Sequence, residues 1–155
     1  MSGATGTKVS GDAAEHYALS QFSFAGRYAA KMPDNWKGYD LVVEGDDGRP
    51  ARVSVKLRTE SKGWLLSKWF LFDGYGDKTC DWLVLIFKPA SGPLASWVIP
   101  FDVAVREAAK PSDEAKPRQL DLKWWQLQEP PLAHYKNNWS LKSFGEVNPI
   151  VENTS

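Results

Sequence analysis

Between residues 51 and 59 the chain reads ARVSVKLRT, and apolar and polar positions alternate through the stretch. Val53, Val55 and Leu57 point to one side of a strand; Arg52, Ser54, Lys56 and Arg58 point to the other. Upstream, YDLVVE (39–44) reads as a second strand, and Asp46-Asp47-Gly48 lies between the two. A three-residue hairpin loop is usually a type I turn closed by a residue in the left-handed region, where glycine is preferred, and Gly48 holds that third place. Such a turn pairs Gly45 with Arg49, which sets Asp40 opposite Ser54, Leu41 opposite Val53 and Val43 opposite Ala51. Directly opposed residues share a face. Leu41, Val43, Ala51, Val53, Val55 and Leu57 then form one apolar surface, and Asp40, Glu44, Arg52, Ser54, Lys56 and Arg58 a polar one, with Val42 the misfit. A two-residue turn would mix the faces, so turn chemistry and alternation agree on a single register.

The rest of the chain supplies partners for this hairpin. From Ser10 to Ala25 the apolar residues Ala14, Ala18, Phe22 and Ala25 recur at helical spacing, Asp12 and Glu15 fit a capping box, and Gly26 suits the stop. CDWLVLIFKP (80–89) is a near-continuous apolar run of strand length, suited to a central strand covered on both faces. LASWVIP (94–100) reads as its neighbour, and FDVAVREAAK (101–110) as a short helix stopped by Pro111. WWQL (124–127) reads as a strand-like scrap, and LAHYKNNWSLKSF (132–144) as a last helical piece. Residues 60–79 form an aromatic and basic excursion of irregular pattern. Helix, hairpin, strands and further helix predict an α/β domain over residues 10–144, with a mixed central β-sheet flanked by helices. Residues 1–9 are expected to be a flexible arm and 145–155 a disordered tail.

Composition narrows the function classes. The formal net charge is +0, so no global basic field advertises nucleic acid or an anionic membrane. Locally, residues 49–68 hold Arg49, Arg52, Lys56, Arg58, Lys62 and Lys68 against Glu60 alone, a balance of +5. Cys80 is the single cysteine, which precludes an internal disulfide and favours a reducing compartment. No apolar run reaches the ~18 residues of a membrane span, and the expected location is cytoplasmic. Eight tryptophans suit core packing, or an exposed ring stacked on a base. His16 and His134 have no visible partners and read as surface or packing residues.

The polar face of the hairpin also has a chemical reading. Hydrolysing a phosphodiester with Mg²⁺ requires oxygen ligands for a hard cation and a positive group that orients water or stabilises charge on phosphorus. Asp40 supplies a carboxylate, Val55 a main-chain carbonyl, and Lys56 a cation ~7 Å along the same face from position 54. Glu15 joins them if the first helix packs its N-terminal end over this edge.

GDAAEHYALSQF with Glu15, GYDLVV with Asp40, RVSVKLRT ending its motif in Lys56, and CDWLVLIFKP…SWVIP follow one another over roughly residues 10–103. In this order they resemble the PD-(D/E)XK nuclease superfamily, the fold of many restriction enzymes and Holliday-junction resolvases. The resemblance implies a restriction-endonuclease-like core and a DNA endonuclease dependent on Mg²⁺ or Mn²⁺. Asp40 and Glu15 would bind the metal with Ser54 and the Val55 carbonyl, and Lys56 would position the attacking water. Arg58, Lys62 and Lys68 would hold phosphates. A homodimer is a further expectation, because cutting two strands takes two sites.

Ser54 departs from the pattern. The family places Glu, Asp or Gln there, and a serine hydroxyl is a poorer ligand for Mg²⁺. Glu15, Glu44 or Glu60 would have to compensate, or Mn²⁺ or a second subunit would be needed. A degenerate site that serves only to bind nucleic acid or a protein is the alternative. The plainest reading is an unrelated α/β domain in which Lys56 and Arg58 are merely solvated, Asp40 is a turn residue and Glu15 a cap.

Overall fold

The hairpin forms in the expected register. In the computed structural model, which describes residues 3–34, 36–60, 69–73, 80–108 and 119–144, β2 (Leu41–Glu44) pairs antiparallel with β3 (Pro50–Thr59). Leu41 lies opposite Val53 and Val43 opposite Ala51. Gly48 adopts φ +80°, the left-handed conformation that closes the turn without a Cβ penalty. Gly45 N–H donates to the Arg49 carbonyl at 2.9 Å.

β3 has a second neighbour of opposite polarity. It runs parallel to β5 (Trp82–Lys88), which pairs antiparallel with β6 (Ala95–Pro100), while β1 (Ala29–Lys31) adds a short antiparallel edge beyond β2. The strand order is β1-β2-β3-β5-β6, a mixed five-stranded sheet. β4 (Trp69–Asp73) and β7 (Gln119–Lys123) pair in a separate two-stranded sheet. The edge strand β1 has three residues, too few to show a sequence period, and was not expected.

Each face of the main sheet carries its own core. On one face α1 (Gly3–Phe24) sets Ala14, Ala18 and Phe22 against Leu41, Val43, Val53, Val55, Val84 and Ile86. Trp139 closes this core, its ring edge-on to Phe22 at 5.0 Å. On the other face Leu83, Leu85 and Phe87 pack with Trp97 and Ile99, with Val103 and Ala104 of α2 (Phe101–Glu107), and with Leu120 and Leu122 of β7. Successive β5 residues therefore serve opposite cores, as its unbroken apolar run predicts.

Three expectations need correction. α1 begins at Gly3 rather than near Ser10, so residues 3–9 extend the helix, and Asp12 and Glu15 sit inside it instead of forming a capping box. Once the packed segment is helical, each added residue gains a hydrogen bond without a new nucleus, and ATGTKV contains no proline to stop it, Gly6 being only a weak helix former. WWQL folds as a helical turn, α3 (Trp124–Leu127), because the Gln126 side chain reaches back to accept the Lys123 N–H at 2.9 Å. The segment after Pro131 makes only a 3₁₀ turn (Leu132–Tyr135), since Asn137 and Leu141 take φ +56° and +57°. The expected tail, 145–155, lies outside the described residues.

Candidate active site

Asp40 stands one residue before β2, where the hairpin's outer strand gives way to a loop. Its N–H donates to the Val53 carbonyl at 2.8 Å, and its own carbonyl accepts the Met32 N–H at 2.9 Å. Its carboxylate accepts the main-chain N–H of Val55 at 2.7 Å. Backbone and side chain together tie Asp40 to β3, which is more than a loose turn residue would do. In an extended strand a residue's N–H and C=O point to the same side, so the Val55 carbonyl opens toward Asp40 as well.

Glu15 reaches this point from α1. Ala14 and Ala18 are buried against the sheet, which turns the adjoining face of the helix toward β1 and the loop after it. The Glu15 carboxyl is held above the ordinary carboxylate range, chiefly by burial and next by the charge of Asp40. Lys31 of β1 offsets part of that, its ammonium lying 3.3 Å from Glu15 Oε1. Glu15, Asp40 and Lys31 line one polar pocket of about 80 Å³ with Asp12, Asp34 and Trp36, large enough for an ion and a few waters. Trp36 is half-exposed at its rim, edge-on to Tyr39 at 5.8 Å.

Ser54 and Lys56 belong to the other face of β3. Their partners across the parallel pairing are Leu83 and Leu85, members of the second core, so both are half-buried rather than on a freely wet surface. Neither lines the pocket shared by Glu15 and Asp40. Asp40, one residue before β2, lines that pocket and binds the Val55 N–H of β3. Among the described residues Lys56 and Arg58 have no ion-pair partner, whereas Arg52 is committed to Asp81 by a two-pronged contact of 3.1 and 3.0 Å. Lys62 and Lys68 lie outside the described residues.

The other acids weighed as substitutes for the missing carboxylate are placed elsewhere. Glu60 accepts the Ala90 N–H at 2.8 Å, six residues and roughly 20 Å of strand from Ser54. Glu44 lies at the opposite end of β2 from Asp40 and accepts the Tyr28 N–H. Cys80 is buried and its thiol is pushed up to about 12 by that burial, which suits a structural role. His16 and His134 are exposed.

Among the described residues no three Asp, Glu, His or Cys side chains gather as a metal-binding group. Two carboxylates and a main-chain carbonyl nevertheless suit Mg²⁺, which keeps several waters and is commonly held by one or two carboxylates plus substrate phosphate. The donor set fits that ion better than it fits Ca²⁺, which takes six to eight oxygens. Lys31 and Asp34 were missed by sequence reasoning, because a three-residue edge strand and a turn carry no motif.

The sequence matches no family model and no curated protein. The structure superposes on a bacterial homing endonuclease, I-Ssp6803I, with a TM-score of 0.59 and 20% identity, over 87% of this chain and 91% of that one. It also matches Hjc, a Holliday junction resolvase from the archaeal hyperthermophile Archaeoglobus fulgidus, with a TM-score of 0.49 and 13% identity, over 76% of this chain and 86% of that one. At such identities the likeness is one of fold, and the fold of this chain is the restriction-endonuclease-like one that its motifs resemble.

Proposed function

We propose that the protein is a metal-dependent DNA endonuclease that hydrolyses phosphodiester bonds. The observation that carries this reading is the convergence of Glu15 and Asp40 on one polar pocket at the end of the hairpin. Two carboxylates lining one small polar pocket present oxygen ligands to a cation between them.

Glu15 and Asp40 are the metal ligands in this reading, with the Val55 carbonyl beside them and Ser54 contributing at most a hydroxyl. A bound Mg²⁺ or Mn²⁺ would polarise the phosphoryl oxygen and acidify a water. The ammonium of Lys56 orients the attacking water and stabilises charge on the phosphorus. Water adds to phosphorus as the P–O ester bond breaks, giving a phosphate monoester and a hydroxyl. Arg58, with Lys62 and Lys68, holds neighbouring phosphates. Two copies of the chain would serve a duplex cut on both strands, in a reducing, cytoplasmic setting.

The test is cleavage of supercoiled, linear and single-stranded DNA with Mg²⁺ and then Mn²⁺. Wild type should cut, and Lys56→Ala and Asp40→Asn should lose activity by at least about a hundredfold. Folded wild-type protein that cuts nothing with either metal would remove the enzyme reading. Ser54, standing where the resembled family carries an acid, favours a second reading in that event: a nuclease fold kept for binding nucleic acid or a protein.

A further inference from the structure

Lys31 ends β1, and its ammonium bridges two carboxylates of different character. It lies 3.3 Å from Glu15 Oε1 and 3.2 Å from Asp34 Oδ1. The Glu15 side chain is 21% exposed, beside Asp40; the Asp34 side chain is 64% exposed, facing solvent. Lys31 pairs across the sheet with Leu41, next to Asp40, and the Met32 N–H binds the Asp40 carbonyl, so backbone hydrogen bonds hold the main chain of this lysine beside the site. A second lysine, Lys8, stands further out, 3.4 Å from Asp12 and 3.5 Å from Asp34.

We propose that Lys31 is a displaceable counter-ion of the candidate metal site, occupying Glu15 until a divalent cation takes its place and then moving onto Asp34. The inference rests on the reading of Glu15 and Asp40 as metal ligands. The arriving ion and the ammonium compete for the same Glu15 carboxylate, so the affinity of the site reflects the difference between them. Lysine suits the exchange, being a compact charge on a flexible four-carbon stem. Asp34 makes it reversible: the displaced ammonium keeps one carboxylate partner, already in contact, and does not have to return to water unpaired. Lys31 therefore sets the metal concentration at which the site loads.

The experiment is Mn²⁺ binding, followed by calorimetry and by the electron paramagnetic resonance of free Mn²⁺. It compares wild type with Lys31→Met, Lys8→Met, Asp34→Asn and Asp40→Asn. Lys31→Met should bind on the order of tenfold more tightly than wild type, the effect of removing one opposite charge at contact distance. Asp34→Asn should bind more weakly, because the ammonium has lost its outer partner. Opposite signs from two single substitutions cannot both come from a loss of fold. Lys8→Met removes the same charge from the same cluster and should change affinity far less. Equal tightening by Lys8→Met and Lys31→Met, or none by Lys31→Met, would overturn the role of Lys31, while Asp40-dependent binding would leave the metal reading standing. If neither wild type nor Lys31→Met binds Mn²⁺ through Asp40, the metal reading itself fails, and the inference with it.

Discussion

The Asp40 carboxylate accepts the Val55 N–H at 2.7 Å, at the point where β2 has ended and β3 continues. A side-chain oxygen thus takes over from the strand that is no longer there, and a main-chain donor in the packed hairpin keeps a partner. The same contact holds an acid at the mouth of the pocket with no freedom to swing away.

This bond separates two variants of Asp40. Asp40→Asn keeps a neutral acceptor for Val55, while Asp40→Ala leaves the donor unsatisfied. A hydrogen bond to a charged group contributes about 1.5–3 kcal/mol and a neutral one about 1 kcal/mol. Urea unfolding should show Asp40→Ala losing about 2 kcal/mol and Asp40→Asn about 1 kcal/mol or less. Both should lose metal binding, so function and stability part company in the asparagine variant. Equal stabilities for all three proteins would mean the bond contributes nothing.

Glu15 should make folding less favourable at neutral pH than a neutral glutamine does. Its carboxyl is raised in the folded protein by burial and by Asp40, so the folded state binds its proton more tightly than the unfolded chain. The benefit of that proton is fully present below the ordinary value of 4.5 and is lost as pH rises through the raised one. Glu15→Gln should therefore equal or exceed wild type in stability at pH 7, with wild type gaining on it as pH falls toward 4.5. Unfolding midpoints across that range check the sign; a wild type that gains on the variant as pH rises would contradict it.

Asp81 predicts the opposite trend. Its carboxylate accepts the Arg52 N–H at 2.8 Å and both prongs of the Arg52 guanidinium, and these contacts hold it below the ordinary carboxylate range. A depressed acid stabilises the fold above its unfolded value of 3.8 and loses that contribution as pH falls through the folded one. Asp81→Asn should be the less stable protein at pH 7, with the gap closing in acid. Because both side chains are more than a third exposed, the gap should be small and should shrink further in high salt. Stability curves in low and high salt decide it; a gap that does not narrow as pH falls would point to packing rather than charge.

Cys80 should be inert in the folded protein. The thiol is buried, donates to the Trp82 carbonyl at 2.9 Å, and is pushed up to about 12, so almost no thiolate exists at pH 8. A disulfide or maleimide reagent should label it slowly in buffer and completely in denaturant. Rapid stoichiometric labelling of native protein would show that the end of β5 opens readily.

Much of the fold was written locally. Gly48 and the alternation on either side of it determined the hairpin register, because turn conformation and face pattern are short-range and agreed on one answer. The apolar run of 82–88 and the Pro100 break likewise announced β5, β6 and the helix that follows. Asp40 and Lys56 were singled out by their place in that register.

What the sequence could not say is what each face meets. Alternation shows that Ser54 and Lys56 point away from Val53 and Val55; only the parallel pairing of β3 with β5, closed over a crossover of more than twenty residues, puts a second core beside them. The approach of Glu15 to Asp40 depends on how α1 lies across the sheet, which is set by Phe22, Trp139 and the hairpin together. Lys31 enters the site through an edge strand too short to have a period. Register is a property of neighbours in the chain and could be read from it; the meeting of Glu15, Lys31 and Asp40 is a property of packing between distant segments, and the tertiary structure alone decided it.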